Sequence, residues 1–297
     1  MLDFKSLETF IWVANLRSFR RAADRLNTTQ PAISMRIAQL EEFLGIRLLE
    51  RDRRMVAPTP KGHELLAHAE RLLRMRADLI EAVGDRVAVR GIVRLGVSET
   101  IVHTWLPALI ERVNAAYPNL ELEIEVDISP NLQDRLVAKD LNLALLLGPA
   151  NNPHINIRPL CTLPVAFVAS HKIALPRRPI ALKDIVKWPI ITFSRNTQPY
   201  SAVRELFARE GLHPTMHASA SLATAVRMAL DGIGIAVIPP AILKRFGPAG
   251  RLRPLKTTVE LPALDFVVGW PSAPDSPAAR KVAEIAIAVA GKTMKAA

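Results

Sequence analysis

Residues 18–41, SFRRAADRLNTTQPAISMRIAQLE, carry two short apolar stripes separated by a polar break, and this feature constrains the fold most. Ser18 is placed to cap a helix whose inward side chains are Ala22, Ala23 and Leu26, three or four residues apart and small enough to let a second helix come close. Asn27 and Thr28 break that helix, and Thr29 is placed to cap the next. Pro31 falls in the first turn of the second helix, where a missing N–H costs little, and Ile33, Ile37 and Leu40 form its buried stripe. The opposite face holds Gln30, Ser34, Arg36 and Gln39, with Ala32 and Met35 between them. These side chains hydrogen-bond base edges or touch a thymine methyl in a major groove. Upstream, Leu7, Phe10, Ile11 and Ala14 mark a bracing helix, so the layout is that of a helix-turn-helix. A plain helical hairpin shows the same stripes, and the residues that follow must separate the two.

After Leu44-Gly45, residues 46–62 read as a short apolar strand, a tight basic turn and a return strand, which is what a winged helix adds. The turn carries Arg51, Arg53 and Arg54. Guanidinium groups on a narrow loop suit a minor groove or the phosphates beside it.

Residues 1–62 closely resemble the N-terminal domain of LysR-type transcriptional regulators. The resemblance rests on Ser18-Phe-x-x-Ala-Ala-x-x-Leu26, Thr29-Gln-Pro-Ala-Ile-Ser34, Gln39-Leu-Glu-x-x-Leu-Gly45 and Leu48-Leu-Glu-Arg51. One departure is Ala57-Pro58 ahead of Thr59, where the family usually has an apolar residue such as Leu at the proline position. The resemblance implies an α/β chain with an N-terminal all-α winged helix-turn-helix, followed by an effector part of two α/β lobes resembling a periplasmic binding protein. It places Gln30, Pro31, Ser34 and Arg36 of the recognition helix at DNA, with Arg53 or Arg54 of the wing and the two helix caps Ser18 and Thr29. The implied division is a DNA-binding domain over 1–62, a linker helix and hinge over 63–90, and an effector domain over 91–297. Within the last, lobe I takes about 91–163 and 266–297, and lobe II about 164–265.

Composition agrees with this division without deciding it. A chain of 297 residues, 49% hydrophobic, is long for one domain. A net charge of +11 favours an anionic partner. Residues 1–62 hold 11 Lys and Arg against 7 Asp and Glu, so the rest of the chain is about as basic and pattern carries the inference. A lone cysteine, Cys161, excludes an internal disulfide framework and suits a reducing cytoplasm. No secretory signal precedes the first helix and no apolar run is long enough to span a bilayer, so the expected location is cytoplasmic, with no membrane partner.

The next segment reads as a long helix, capped by Thr59 with Pro60 in its first turn. Leu65, Leu66, Ala69, Leu72, Leu73, Leu79, Ile80 and Val83 recur along it at three- and four-residue steps, interrupted by Arg76. Such a stripe needs a partner, either this chain's own domains or a second copy. The resemblance implies the second, giving a homodimer or a homotetramer. Gly84 and residues 87–91 end the helix and form the hinge.

From Ile92 onward strands and helices alternate: strands over 92–97, 120–128 and 143–147, helices over 105–117 and 132–138. Residues 165–169 carry the chain into a second lobe with strands over 189–193, 216–218 and 234–238 and helices over 202–210 and 222–230. Strand 265–270 and helix 276–290 return it. The resemblance here rests on this order and on Asp231-Gly-Ile-Gly-Ile-Ala-Val-Ile-Pro239. In such sheets, ligands sit beyond the strand carboxyl ends, where helix N-termini offer free N–H groups. Ser98-Glu99-Thr100, Ser129-Pro130-Asn131 and Phe193-Ser194-Arg195 occupy those places and match the family's effector-contacting positions. A carboxylate-bearing metabolite with Arg195 as counter-ion is the expected effector; Glu99 opposes this unless it points out, which leaves a zwitterion or an amine-bearing ligand open. Helix capping accounts for each hydroxyl equally well.

Enzymatic readings fail on spacing. The histidines of His63-Glu64-Leu-Leu-Ala-His68 lie five apart, about 140° around a helix, and cannot share a metal. Gly96-Val-Ser98-Glu-Thr100 lacks the second glycine of a nucleophile elbow, and Gly232-Ile-Gly234 lacks the third of a dinucleotide loop. No catalytic residue, metal site or cofactor is therefore assigned. The expected partners are double-stranded DNA, a small-molecule effector and RNA polymerase. The competing reading is a cytoplasmic small-molecule-binding protein or degenerate transferase whose N-terminal domain makes protein contacts.

Overall fold

The computed structural model describes residues 2–51, 56–83, 90–149, 152, 155–176, 179–246, 251–271 and 276–293. The chain divides into two bodies, Met1–Ala88 with Pro271–Arg280 and Val89–Trp270 with Lys281–Ala297, each described by itself.

The first body holds α1 (Phe4–Leu16), α2 (Phe19–Arg25), α3 (Gln30–Leu44), the hairpin β1 (Leu49–Arg51) and β2 (Val56–Pro58), and α4 (Pro60–Val83). Its helices begin where the sequence places caps. Asp3 accepts from the Ser6 amide, Ser18 from Arg21 and Thr29 from Ala32. Phe10, Val13, Ala22, Ala23, Ile33, Ile37, Leu40 and Leu48 bury together, so the three stripes read from the sequence meet in one core. Two polar links join α3, the wing and α4. Glu41 Oε1 accepts from the Leu48 and Leu49 amides at 2.8 and 3.1 Å, satisfying the entry to β1. Thr59 donates to the Arg47 carbonyl and accepts from the Gly62 amide. Gly62 must be glycine: a Cβ there would lie 2.1 Å from the Leu48 carbonyl oxygen, closing the gap between α4 and the wing.

The second body holds two five-stranded sheets. In chain order its elements are β3 (Gly91–Val97), α5 (Glu99–Val102), α6 (Leu106–Ala116), β4 (Leu120–Val126), α7 (Ser129–Val137), β5 (Leu143–Leu147), β6 (Ile155–Leu163), β7 (Ala166–Ser170), α8 (Leu182–Ile185), β8 (Ile190–Thr192), α9 (Gln198–Ala208), β9 (Met216–Ala218), α10 (Leu222–Asp231), β10 (Ile235–Ile238), a 3-10 helix (Pro240–Arg245), β11 (Leu252–Pro254), β12 (Leu264–Pro271) and α11 (Pro277–Thr293). The sheet orders are β4-β3-β5-β12-β6 and β11-β7-β10-β8-β9. β3 runs parallel to β4 and β5, and β8 parallel to β9 and β10; β12 and β7 return antiparallel.

The side-chain period of a strand builds the second sheet's two cores. Phe167, Ile190, Ile235 and Val237 pack with Val203 and Phe207 of α9 on one face, while Val168, Ile191, Ala236 and Ile238 pack with Leu222, Val226 and Ala229 of α10 on the other. The 231–239 motif has a physical reading at both glycines. Gly232 ends α10 at φ 79°, and Gly234 lets β10 approach Pro189, whose carbonyl oxygen would be 2.3 Å from a Cβ.

Two strands, β6 and β11, go beyond the sequence reading. Each contains a proline, Pro159 and Pro254, and each is an edge strand, where a missing ladder donor is tolerated. Helices α7 and α9 start three to four residues earlier than expected because Pro130 and Pro199 occupy their first turns.

Candidate DNA-reading helix and effector cleft

The recognition face of α3 is outward. Gln30, Pro31, Met35 and Gln39 are exposed and Ser34 is half-buried, with Ile33, Ile37 and Leu40 buried behind them. Met35, at 60% exposure, offers an apolar surface beside the polar ones. Arg36 is different: its Nη1 donates to Thr9 Oγ1 at 3.2 Å, and Thr9 in turn donates to the Lys5 carbonyl. Part of its donor set therefore fastens α3 to α1. Ser18 and Thr29 spend their hydroxyl oxygens on helix caps. Arg53 and Arg54 lie outside the described residues.

Of the eight positions expected along one dimer seam, the six whose side chains are described divide into a packed set and an exposed set. Ala69 is buried, and Leu65, Leu66, Ala69 and Leu73 pack on Leu7 and Ile11 of α1, because α1 presents a second apolar stripe that α4 covers. Leu72 and Leu79 are exposed, at 43% and 64%, with Met75 at 58% between them; the side chains of Ile80 and Val83 lie outside the described set. Arg76, which interrupts the stripe, stacks over the Phe4 ring at 5.0 Å.

Between the two sheets of the second body lies a cleft of about 300 Å³. Ser98, Glu99, Thr100, Ser129, Phe193 and Ser194 line it, bringing together six of the eight expected residues from three separate loops. Asn131 and Arg195 do not line it. Asn131 is exposed and its Nδ2 donates to Asp127 Oδ1, and Arg195 is exposed. The expected counter-ion is thus off the site. Ser98 and Ser129 share a hydrogen bond of 3.2 Å, and Ser129 Oγ accepts from the Leu147 amide, so the pair ties the ends of β3, α7 and β5.

Sequence reasoning missed the rest of the wall. Thr192, Ser219 and Ser221 add hydroxyls to that of Thr197, which ends the expected 193–197 segment, and Val126, Leu147, Pro199, Val237, Leu264 and Phe266 add apolar surface. Ser219 and Ser221 were legible as residues preceding a helix; the apolar wall carries no local signal. Glu99 points neither outward nor into open space. Its carboxylate accepts from the Leu222 amide, the Ala223 amide and Ser221 Oγ, and faces His103 Nε2 at 3.4 Å. A carboxylate from the end of β3 therefore sits on the N-terminus of α10 in the other lobe.

Helix-turn-helix, wing and two-lobed cleft recur together in known proteins. The model of the LysR substrate binding domain matches residues 87–291, and that of the bacterial regulatory helix-turn-helix protein, lysR family, matches residues 4–63. This chain belongs to the LysR family. It is 30% identical over 255 residues to the HTH-type transcriptional regulator BbuR of Bordetella bronchiseptica, covering 84% of this chain and 78% of that one. Among solved structures, a full-length OxyR variant from Pseudomonas aeruginosa matches with a TM-score of 0.66 at 21% identity, covering 98% of this chain and 95% of that one. Full-length CbnR complexed with its target DNA matches with a TM-score of 0.55 at 19% identity, covering 97% and 100%. The LysR chain described here is a ligand-responsive, DNA-binding transcription regulator with a helix-turn-helix and an effector-binding domain. Among its described residues, no helix is long and apolar enough to cross a membrane.

Proposed function

We propose that this regulator acts as a dimer or a pair of dimers, that α3 of each copy enters a major groove, and that Gln30 and Ser34 read base edges there while Met35 meets thymine methyls. The observation that carries this reading is the outward polar face of α3 over a complete core. Pro31, Arg36 and the caps Ser18 and Thr29 hold the helix in register, with Arg53 or Arg54 in the minor groove. Residues 1–62 form the reading unit, 63–90 the linker and 91–297 the effector part.

The dimer seam runs along Leu72, Met75 and Leu79, exposed at three- and four-residue spacing on α4. A small effector enters the cleft, favours one relative pose of the two lobes, and changes half-site spacing or DNA bending by its preference for that pose. RNA polymerase is the machinery that reads out the change. The protein works in the cytoplasm, where its DNA is, and performs no catalysis.

A gel-shift titration on pooled genomic fragments tests the first step. Discrete fragments should be enriched, with affinity falling steeply as salt rises. Absence of enrichment at every salt concentration would instead favour a small-molecule-binding protein. Sedimentation of the Leu79→Glu chain, expected to shift toward monomer, tests the seam.

A further inference from the structure

The described wall of the cleft carries carboxylates and no side-chain cation. Among the described residues that line it, the ionisable side chains are Glu99 and Asp127, both acidic; Lys, Arg and His are absent from that wall. Asp127 is engaged by the Ile128 amide and Asn131 Nδ2. Glu99, at 20% side-chain exposure, takes the first two amides of α10, and Ser221 Oγ takes the third, from Thr224. The N-terminal amides and dipole of α10, which would attract an anionic ligand, are thus already satisfied by the chain itself. Thr192, 2% exposed, also lines the cleft, and its Oγ1 has no hydrogen-bond partner in the protein, leaving a neutral hydrogen-bonding group at the wall.

We infer that Glu99 is the specificity-determining residue of the cleft: it stands in for an acid on α10, so the effector is a largely apolar small molecule without negative charge. A carboxylate entering this space would meet Glu99 with no Lys, Arg or His among the described lining residues to offset the repulsion; His103, 3.4 Å from Glu99, is not part of that lining. The same residue clasps the lobes together. Beside it the His103 ring packs on Phe246 at 4.7 Å between centroids, and Arg245 Nη2 donates to the Thr104 carbonyl, both across the same seam. This inference rests on the reading of the cleft as the effector site.

The test uses the full-length protein and two probes of matched shape, benzoate and benzamide, at equal concentration and ionic strength, with thermal melting as the readout. In the unaltered chain benzoate should raise Tm no more than benzamide does. In Glu99→Ala the vacated amides become an anion seat, and benzoate should raise Tm above benzamide by about 3 °C. Glu99→Gln, which keeps an acceptor for the α10 amides and loses the charge, provides a second variant should the alanine chain not fold; its benzoate response should exceed that of the unaltered chain. A benzoate-specific rise in the unaltered chain, or no gain in the foldable variant, would overturn the inference. Operator binding is measured alongside: the expected Tm pattern with unchanged operator occupancy would uphold the role of Glu99 and instead overturn control of DNA through the cleft.

Discussion

Two helix starts in this chain have the same local design and different surroundings. Helix α3 begins with Thr29 accepting from Ala32, and α10 with Ser221 accepting from Thr224; each then sends an apolar stripe into a core. At α3, Pro31 has no amide to offer, and the first turn stays on the surface with Gln30 exposed. At α10 the Leu222 and Ala223 amides are taken by Glu99, a residue 123 and 124 positions away. A helix N-terminus is an anion seat in both cases. The contrast teaches that the cap and the stripe make the seat, while distant chain decides whether a phosphate, a ligand or the protein itself occupies it.

The comparison can be broken most severely at the core behind α3. Ile37→Ala removes a fully buried side chain and should cost about 3 kcal/mol in urea unfolding, with operator binding lost in parallel. Gln30→Ala should lower affinity for the specific duplex by about 2 kcal/mol and leave random duplex and Tm unchanged. Arg36→Ala should lower both Tm and affinity, because its Nη1 also holds Thr9; equal Tm values for the two variants would remove that structural role. At the other start, Ser221→Ala should destabilise by about 1 kcal/mol, the usual cost of a lost cap.

The smallest effect lies between β4 and α7. The Arg135 guanidinium, hydrogen-bonded to Glu125, holds that carboxyl below its ordinary value near 4.5. A depressed folded pKa stabilises above the unfolded value and loses that contribution as pH falls through the folded one. Glu125→Gln should therefore flatten the acid limb of a stability curve slightly below about pH 4.5, the pair being partly exposed.

The DNA-reading half was legible because its information is local. Caps at Ser18, Thr29 and Thr59 and the stripes of α1 to α3 repeat within a turn or two of each residue, and the core follows from their spacing. The α4 stripe was legible as a stripe but not in its division. That Leu65, Leu66, Ala69 and Leu73 belong to α1 and, among the described side chains, Leu72, Met75 and Leu79 to solvent depends on how α1 lies on it. Edge strands β6 and β11 escaped notice because their prolines read as breaks until the sheet order puts them at the margin.

The helix starts of the DNA-reading half, the inner strands and the glycines of the 231–239 motif were settled by the sequence, since they obey forces acting over a few residues. Tertiary structure decided the occupants. It turned Arg195 out of the cleft, drew Thr192 into its wall, and set Glu99 on a helix that the chain reaches more than a hundred residues later. Charge and hydrogen-bond satisfaction are properties of a place in space, and no local pattern in a chain records which residues will share it.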